Sequence, residues 1–193
     1  MPETSVALRA GEWAKPVGRQ LTGRTFGIIG CGFVGQDLVR LLAPYECRVL
    51  AHDIRDYPEF YRSHHVTPVT LPQLLADADV VSLHVPLDRS TRGMIDAAKL
   101  ASMRKGAVLI NAARGGLVDE AALAESLETG HLAGAAADVF EMEPVVHPRL
   151  LAQPAFLGTP HIGAATQEAQ LAMGRAAIEG LETARVPGDG WPC

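Results

Sequence analysis

"TFGIIGCGFVG", residues 25–35, decides how the rest of the chain reads. Its first half is a short apolar run that stops on glycine, the pattern of a buried strand. Its second half, "GCGFVG", is G-x-G-x-x-G over residues 30–35. That spacing alone is weak in a chain with 19 glycines. The setting strengthens it. A strand comes before, and "GQDLVRLLAPY" (35–45) comes after, with Leu38, Leu41 and Leu42 at helical spacing and Pro44 marking the end. In such a turn Gly30 permits the sharp reversal and Gly32 lets backbone approach a pyrophosphate. Gly35 lets the helix close on the strand. The free N–H groups and the dipole at the helix start attract phosphate. A bare strand-to-helix turn requires no companion feature, yet one is present. "RVLAHD" (48–53) reads as the next strand and closes on Asp53, about 20 residues past the loop, where a carboxylate binds ribose hydroxyls. The same charge repels a 2′-phosphate, which favours NAD over NADP. Arg55 opposes that preference.

Working outward, the alternation persists. Helical patterns cover residues 71–78, 96–103, 119–130 and 166–185, and Thr166 is placed to cap the last. Apolar strand patterns cover 79–86, 107–111, 132–140 and 155–160, although the alanines of 132–140 weaken that one. Repeated strand–helix units with near-continuous apolar strands predict an α/β protein, a doubly wound parallel sheet of the Rossmann type. Residues 1–22 read as an arm or a single helix, and 23–193 as one nucleotide-binding domain. No internal repeat or low-complexity linker interrupts it.

Composition narrows the function classes. The chain has 193 residues, 48% hydrophobic, with a formal charge of −5, enough for one core. Mild acidity argues against nucleic acid as a partner. No apolar run reaches membrane-span length, and the first residues carry no apolar signal core. Cys31, Cys47 and Cys193 are few, odd in number and without metal-ligand spacing. They read as reduced thiols of a cytoplasmic protein. No metal site is expected. The neighbours His64 and His65 lack a third ligand and read as loop residues.

In a doubly wound sheet, ligands sit beyond the carboxyl ends of the strands. After "AVLIN" comes Arg114. After "GAAADV" come Glu141 and Glu143. After "AFLGTP" comes His161. Singly, each is an ordinary loop residue. Together, a guanidinium, a carboxylate and an imidazole reach the rim that the glycine loop assigns to a dinucleotide. His84 suggests only packing near the adenine side.

Five stretches, "GIIGCGFVG", "VVSLHVPLDRSTRGMID", "GAVLINAARGGLVDEAAL", "AAADVFEMEP" and "TPHIGAAT", resemble the D-isomer-specific 2-hydroxyacid dehydrogenases. The likeness runs in unbroken order from about residue 9 to about residue 185. It is specific for the family and not for the substrate. It implies that Arg114 holds the substrate's carboxylate and carbonyl, that His161 is the general acid/base, and that Glu143 pairs with it. Glu141 falls two positions early and reads as a surface residue. The same resemblance implies cofactor contacts from Phe33, Val34, Val85, Pro86, Thr91, Ala112, Ala113, Gly163 and Ala164, with Asp138 on the nicotinamide carboxamide. It also implies NAD as cofactor, a small 2-hydroxy or 2-keto acid as substrate, and a homodimer formed through this domain. Trp13 in the arm is then either an interface anchor or an intradomain packing residue.

The chain departs from the family at its start. Members carry a substrate domain ahead of the segment resembling "RAGEW", and that part is missing here. The expectation is therefore a single nucleotide-binding domain that binds NAD with little turnover alone. A second reading, a non-enzymatic NAD-responsive protein of the corepressor type, shares the same motifs. Glu143 disfavours the formate dehydrogenase branch, which has glutamine there. "TPHIGAATQEAQ" leans toward phosphoglycerate-dehydrogenase-like members.

Overall fold

A computed structural model describes residues 2–13 and 15–183. Cys193 and the end of the final predicted helix lie outside the described residues. Seven parallel strands lie in the order β3-β2-β1-β4-β5-β6-β7. They are β1 (Thr25–Ile29), β2 (Arg48–His52), β3 (Val66–Pro68), β4 (Val80–Leu83), β5 (Val108–Asn111), β6 (Gly134–Ala137) and β7 (Phe156–Gly158). The strand order turns back between β1 and β4, the switch point at which such sheets bind ligands. The doubly wound sheet expected from the sequence is present.

Side-chain alternation on β1 divides the core. Phe26 and Ile28 face α2 (Phe33–Leu42) and α3 (Pro58–Ser63), packing with Val39, Leu42, Val49 and Tyr61. Ile29 faces the other layer with Leu74, Leu83, Leu100, Leu109 and Leu123. That layer holds α4 (Leu71–Asp77), α5 (Ala97–Ser102) and α6 (Glu120–Glu128). Each of these three helices starts on a side-chain cap that satisfies a free N–H: Thr70 with Gln73 in a capping box, Asp96, and Asp119. The short α7 (Pro148–Leu151) sits before β7.

Three elements went unread in the sequence, the four-residue α7 among them. The six-residue α3 and three-residue β3 are too short to show a period, and β3 is an edge strand paired only with β2. His64 ends α3 and stacks on Phe60 at 4.2 Å, and His65 follows in a left-handed turn. At the chain's ends, α1 (Pro2–Arg9) and α8 (Gln167–Thr183) stand apart from both core layers. Thr166 caps α8 by accepting from the Ala169 N–H at 3.0 Å. Trp13 is 79% exposed, so intradomain packing does not account for it.

Candidate active site

The carboxyl ends of the strands carry two adjoining features, a cleft over β1, β2 and β4 and a polar cluster over β5, β6 and β7. The cleft, about 450 Å³, is lined by Gly30, Gly32, Asp53, Val85, Pro86 and Thr91 among others. Gly30 takes φ +93°, and a Cβ there would press on the His84 carbonyl at 2.8 Å. A Cβ on Gly35 would overlap the Gly30 carbonyl oxygen. At Gly32 the result is opposite: a Cβ would meet nothing within 4 Å. Gly32 is the N-cap of α2 and supplies no side-chain cap. The loop is therefore closed against the protein at its first and third glycines and open at its second. An uncapped helix start faces that opening, the donor set a pyrophosphate requires. Phe33 and Val34 stand largely in solvent on the first turn of α2, beside the cleft.

Asp53 sits opposite. Its Oδ2 accepts from the Cys31 N–H at 2.6 Å and its Oδ1 from the Arg55 N–H at 2.8 Å. A carboxylate has about four acceptor sites, so two remain for hydroxyl donors. Thr91 ties the far wall together by donating to the Pro86 carbonyl at 2.7 Å. Ile54, Arg55, Tyr57 and His84 also line this cleft. The sequence places His84 near the adenine side as a packing residue and Arg55 beside Asp53, whereas Ile54 and Tyr57 went unread although they flank that same turn.

The polar cluster centres on Asp138, just past β6. Three successive N–H groups converge on it. His161 N donates to the Asp138 carbonyl at 2.8 Å, Ile162 N to Oδ1 at 2.8 Å, and Gly163 N to Oδ2 at 2.8 Å. Thr159 adds its hydroxyl to Oδ1. Burial pushes the Asp138 carboxyl pKa up, but these donors outweigh it and hold it below the ordinary aspartate range. Asp138 thus builds the loop that carries His161, a role its sequence position did not reveal. His161 itself adopts φ +53°, unusual for a residue with a Cβ and characteristic of functional turns.

The imidazole Nδ1 of His161 lies 2.9 Å from Glu143 Oε2. Glu143 Oε1 accepts from the Phe140 N–H at 3.0 Å, which fixes the carboxylate from behind. The His161 bond and then the Phe140 bond hold the Glu143 pKa below the usual glutamate range. Glu141 is exposed, and its N–H donates to Glu120. Arg114 leaves the end of the neighbouring β5. Buried Asn111 latches its turn: Nδ2 donates to the Arg114 carbonyl at 2.9 Å, and Oδ1 accepts from the Ala113 N–H at 3.2 Å. Gly115 lies so close to the Phe140 carbonyl that no Cβ fits. The Arg114 turn therefore rests against the turn that carries Glu143. The Arg114 guanidinium donates to the Ala113 carbonyl and is exposed, with no ion pair among the described residues. Ala112 and Ala113 lie in that turn, and Gly163 and Ala164 follow His161, so both groups share this end of the sheet. Among the described residues no cluster of three His, Cys, Asp or Glu side chains could hold a metal.

The Asp138 latch gives a testable pH dependence. In Asp138→Asn an amide offers one acceptor oxygen where three donors converge on two, so an N–H must face an N–H. A stability loss of about 1.5–3 kcal/mol is expected at neutral pH. Because the folded pKa lies below the unfolded one, the stabilisation is complete above about pH 4 and is lost as pH falls through the folded value. Denaturant titrations of both proteins should therefore converge under acid conditions. A difference independent of pH would remove the charge from this account.

Comparison with known proteins places this arrangement. Residues 1–163 match the family described as "D-isomer specific 2-hydroxyacid dehydrogenase, NAD binding domain". The D-3-phosphoglycerate dehydrogenase of Bacillus subtilis is 40% identical over 173 residues, which cover 89% of this chain and 33% of that protein. The hydroxypyruvate reductase of Thermotoga maritima is 38% identical over 184 residues, covering 91% of this chain and 58% of that protein. The crystal structure of a glyoxylate reductase from Paecilomyes thermophila superposes with TM-score 0.87 at 37% identity, over 93% of this chain and 55% of that one. The chain thus spans between a third and three-fifths of the length of these relatives.

Proposed function

The chain belongs to the D-isomer specific 2-hydroxyacid dehydrogenases through their NAD-binding domain, and we propose that it carries the dinucleotide site and the acid–base group of a reaction interconverting D-2-hydroxy acids and 2-keto acids. The observation that carries this reading is the Glu143–His161 bond, set on the Asp138 latch beside the Arg114 turn. NAD(H), when bound, supplies or accepts the hydride. Arg114 meets the substrate carboxylate with two parallel N–H bonds. In reduction, protonated His161 gives its proton from Nε2 to the developing alkoxide. In oxidation, the neutral ring takes the hydroxyl proton. Glu143, bonded at Nδ1, holds the ring so that Nε2 is the exchanging atom. The corepressor reading finds no support among the relatives, which are dehydrogenases and reductases.

Gly30, Gly32, Gly35 and Asp53 are the proposed adenosine and pyrophosphate contacts. Asp138, Gly163 and Ala164 are proposed for the nicotinamide end. Residues 1–22 are proposed as an arm and 23–193 as the dinucleotide domain. A homodimer through the arm and α8 is also proposed. Exposed Val6, Leu8 and Trp13 on the arm, and Leu171, Ile178 and Leu181 on α8, support it. Sedimentation showing only monomer would remove that proposal. A cytoplasmic setting is proposed as well. No helix among the described residues is long and apolar enough to cross a membrane.

Fluorescence titration tests the cofactor reading. NADH should bind saturably and more tightly than NADPH. In Asp53→Ala the carboxylate that repels a 2′-phosphate is gone while Arg55 remains. The NADH preference should then fall by about 10-fold. Saturable binding of neither dinucleotide would overturn the proposed function.

A further inference from the structure

The cleft contains a polar pair that neither the glycine fingerprint nor the proposed catalytic set uses. Ser82 and His84 are two residues apart on and just beyond β4, so their side chains share a face. Ser82 is buried at 2% exposure, and its Oγ lies 3.0 Å from His84 Nε2. Among the described residues no other hydrogen bond involves that hydroxyl. Were Nε2 to carry the proton, the ring would donate to Oγ and leave the buried hydroxyl hydrogen without an acceptor, a costly arrangement. The satisfied arrangement has Ser82 donating to Nε2, which puts the ring proton on Nδ1. Among the described residues Nδ1 bonds to no protein group and is not sealed from solvent, on a residue that lines the cleft. The His84 backbone is held as well: its N–H donates to the Ile29 carbonyl at 2.7 Å, and its carbonyl abuts Gly30. Burial lowers the His84 pKa, which keeps the ring uncharged at neutral pH.

We propose that His84 is a binding residue of this cleft, donating from Nδ1–H to an acceptor on the adenosine half of the dinucleotide, with Ser82 setting its tautomer. The adenosine half is specified because His84 shares the cleft with Gly30, Gly32 and Asp53. Glu143 and His161 do not line it. The inference rests on the dinucleotide reading above. Ser82 is a positioning residue and touches no ligand.

The test uses ADP-ribose, which lacks nicotinamide, titrated calorimetrically into the unsubstituted chain and its variants. His84→Phe keeps the ring volume and removes the donor, so affinity should fall by about 3- to 10-fold. His84→Gln restores a donor and should recover part of that loss. Ring ¹⁵N shifts of the unsubstituted chain should report the Nδ1–H tautomer, a readout independent of any variant's folding. Ser82→Ala should shift that signal toward a mixture. Equal affinity for ADP-ribose in a folded His84→Phe, or an Nε2–H tautomer in the unsubstituted chain, overturns this proposal and leaves the proposed function standing. Failure of the unsubstituted chain to bind ADP-ribose overturns both.

Discussion

Gly32→Thr is expected to leave the fold intact and to weaken NADH binding by about 100-fold or more, roughly 3 kcal/mol. The two halves of this expectation have separate causes. Gly32 has φ −72° and ψ −157°, an extended conformation open to ordinary residues, and a Cβ there meets no protein atom. Threonine is also about as good an N-cap as glycine, so α2 should keep its start. The melting temperature should stay within about 2 °C. The added side chain nevertheless occupies the opening against which a pyrophosphate must lie, and its hydroxyl competes for the same helix N–H groups. Gly35→Thr is the control with the opposite signature. Its Cβ would overlap the Gly30 carbonyl oxygen, so stability should fall by about 1–3 kcal/mol or more. A Gly32→Thr protein that binds NADH as the parent does would show that the dinucleotide lies elsewhere.

That contrast also shows what a sequence reveals and what it hides. The glycine loop was legible because its three glycines do three physical tasks at fixed spacing, and the structure closes the first and third against protein and leaves the second open. Asp53 was legible because strand length fixes where β2 ends. The sheet followed from apolar runs that must be buried on both faces. By contrast α3 and β3 carry no period, since one turn of helix and three edge residues bury too little to impose a pattern. The latches were hidden for another reason. Asn111 and Asp138 act through backbone N–H groups and carbonyls, and a backbone partner leaves no trace in residue type. The resemblance offered Asp138 to the carboxamide, while its carboxylate already accepts three bonds from the His161 loop. His84 was read only as packing near the adenine side, because its polar partner is a single buried serine in an otherwise apolar strand.

His161→Gln should have the largest effect on turnover. Removing a positioned general acid costs about 100- to 10,000-fold in kcat. Glutamine cannot deliver a proton to an alkoxide, and neither Arg114 nor Glu143 is suited to replace it. A guanidinium is too weak an acid for the task, and the His161 and Phe140 bonds hold the Glu143 pKa low, so that carboxylate has no proton to give at neutral pH. NADH affinity should change little, because His161 does not line the cleft bearing Gly32 and Asp53. The loss should therefore appear in kcat with the dinucleotide Kd preserved, the pattern of an interaction made only in the transition state. Glu143→Gln should show the same pattern with a smaller loss. Two donors, the Phe140 N–H and the His161 ring, use separate oxygens of Glu143. An amide offers only one oxygen, so either the turn or the ring loses its anchor. If the ring loses it, Nε2 is no longer held as the exchanging atom, and kcat should fall by about 10- to 100-fold. Both variants should be assayed in the intact protein against glyoxylate, pyruvate and hydroxypyruvate, with NADH binding measured in parallel. Retention of more than about a tenth of the parent kcat by His161→Gln would move the acid–base role to another residue. Loss of NADH binding instead would mean that the His161 loop supports the cofactor rather than the proton.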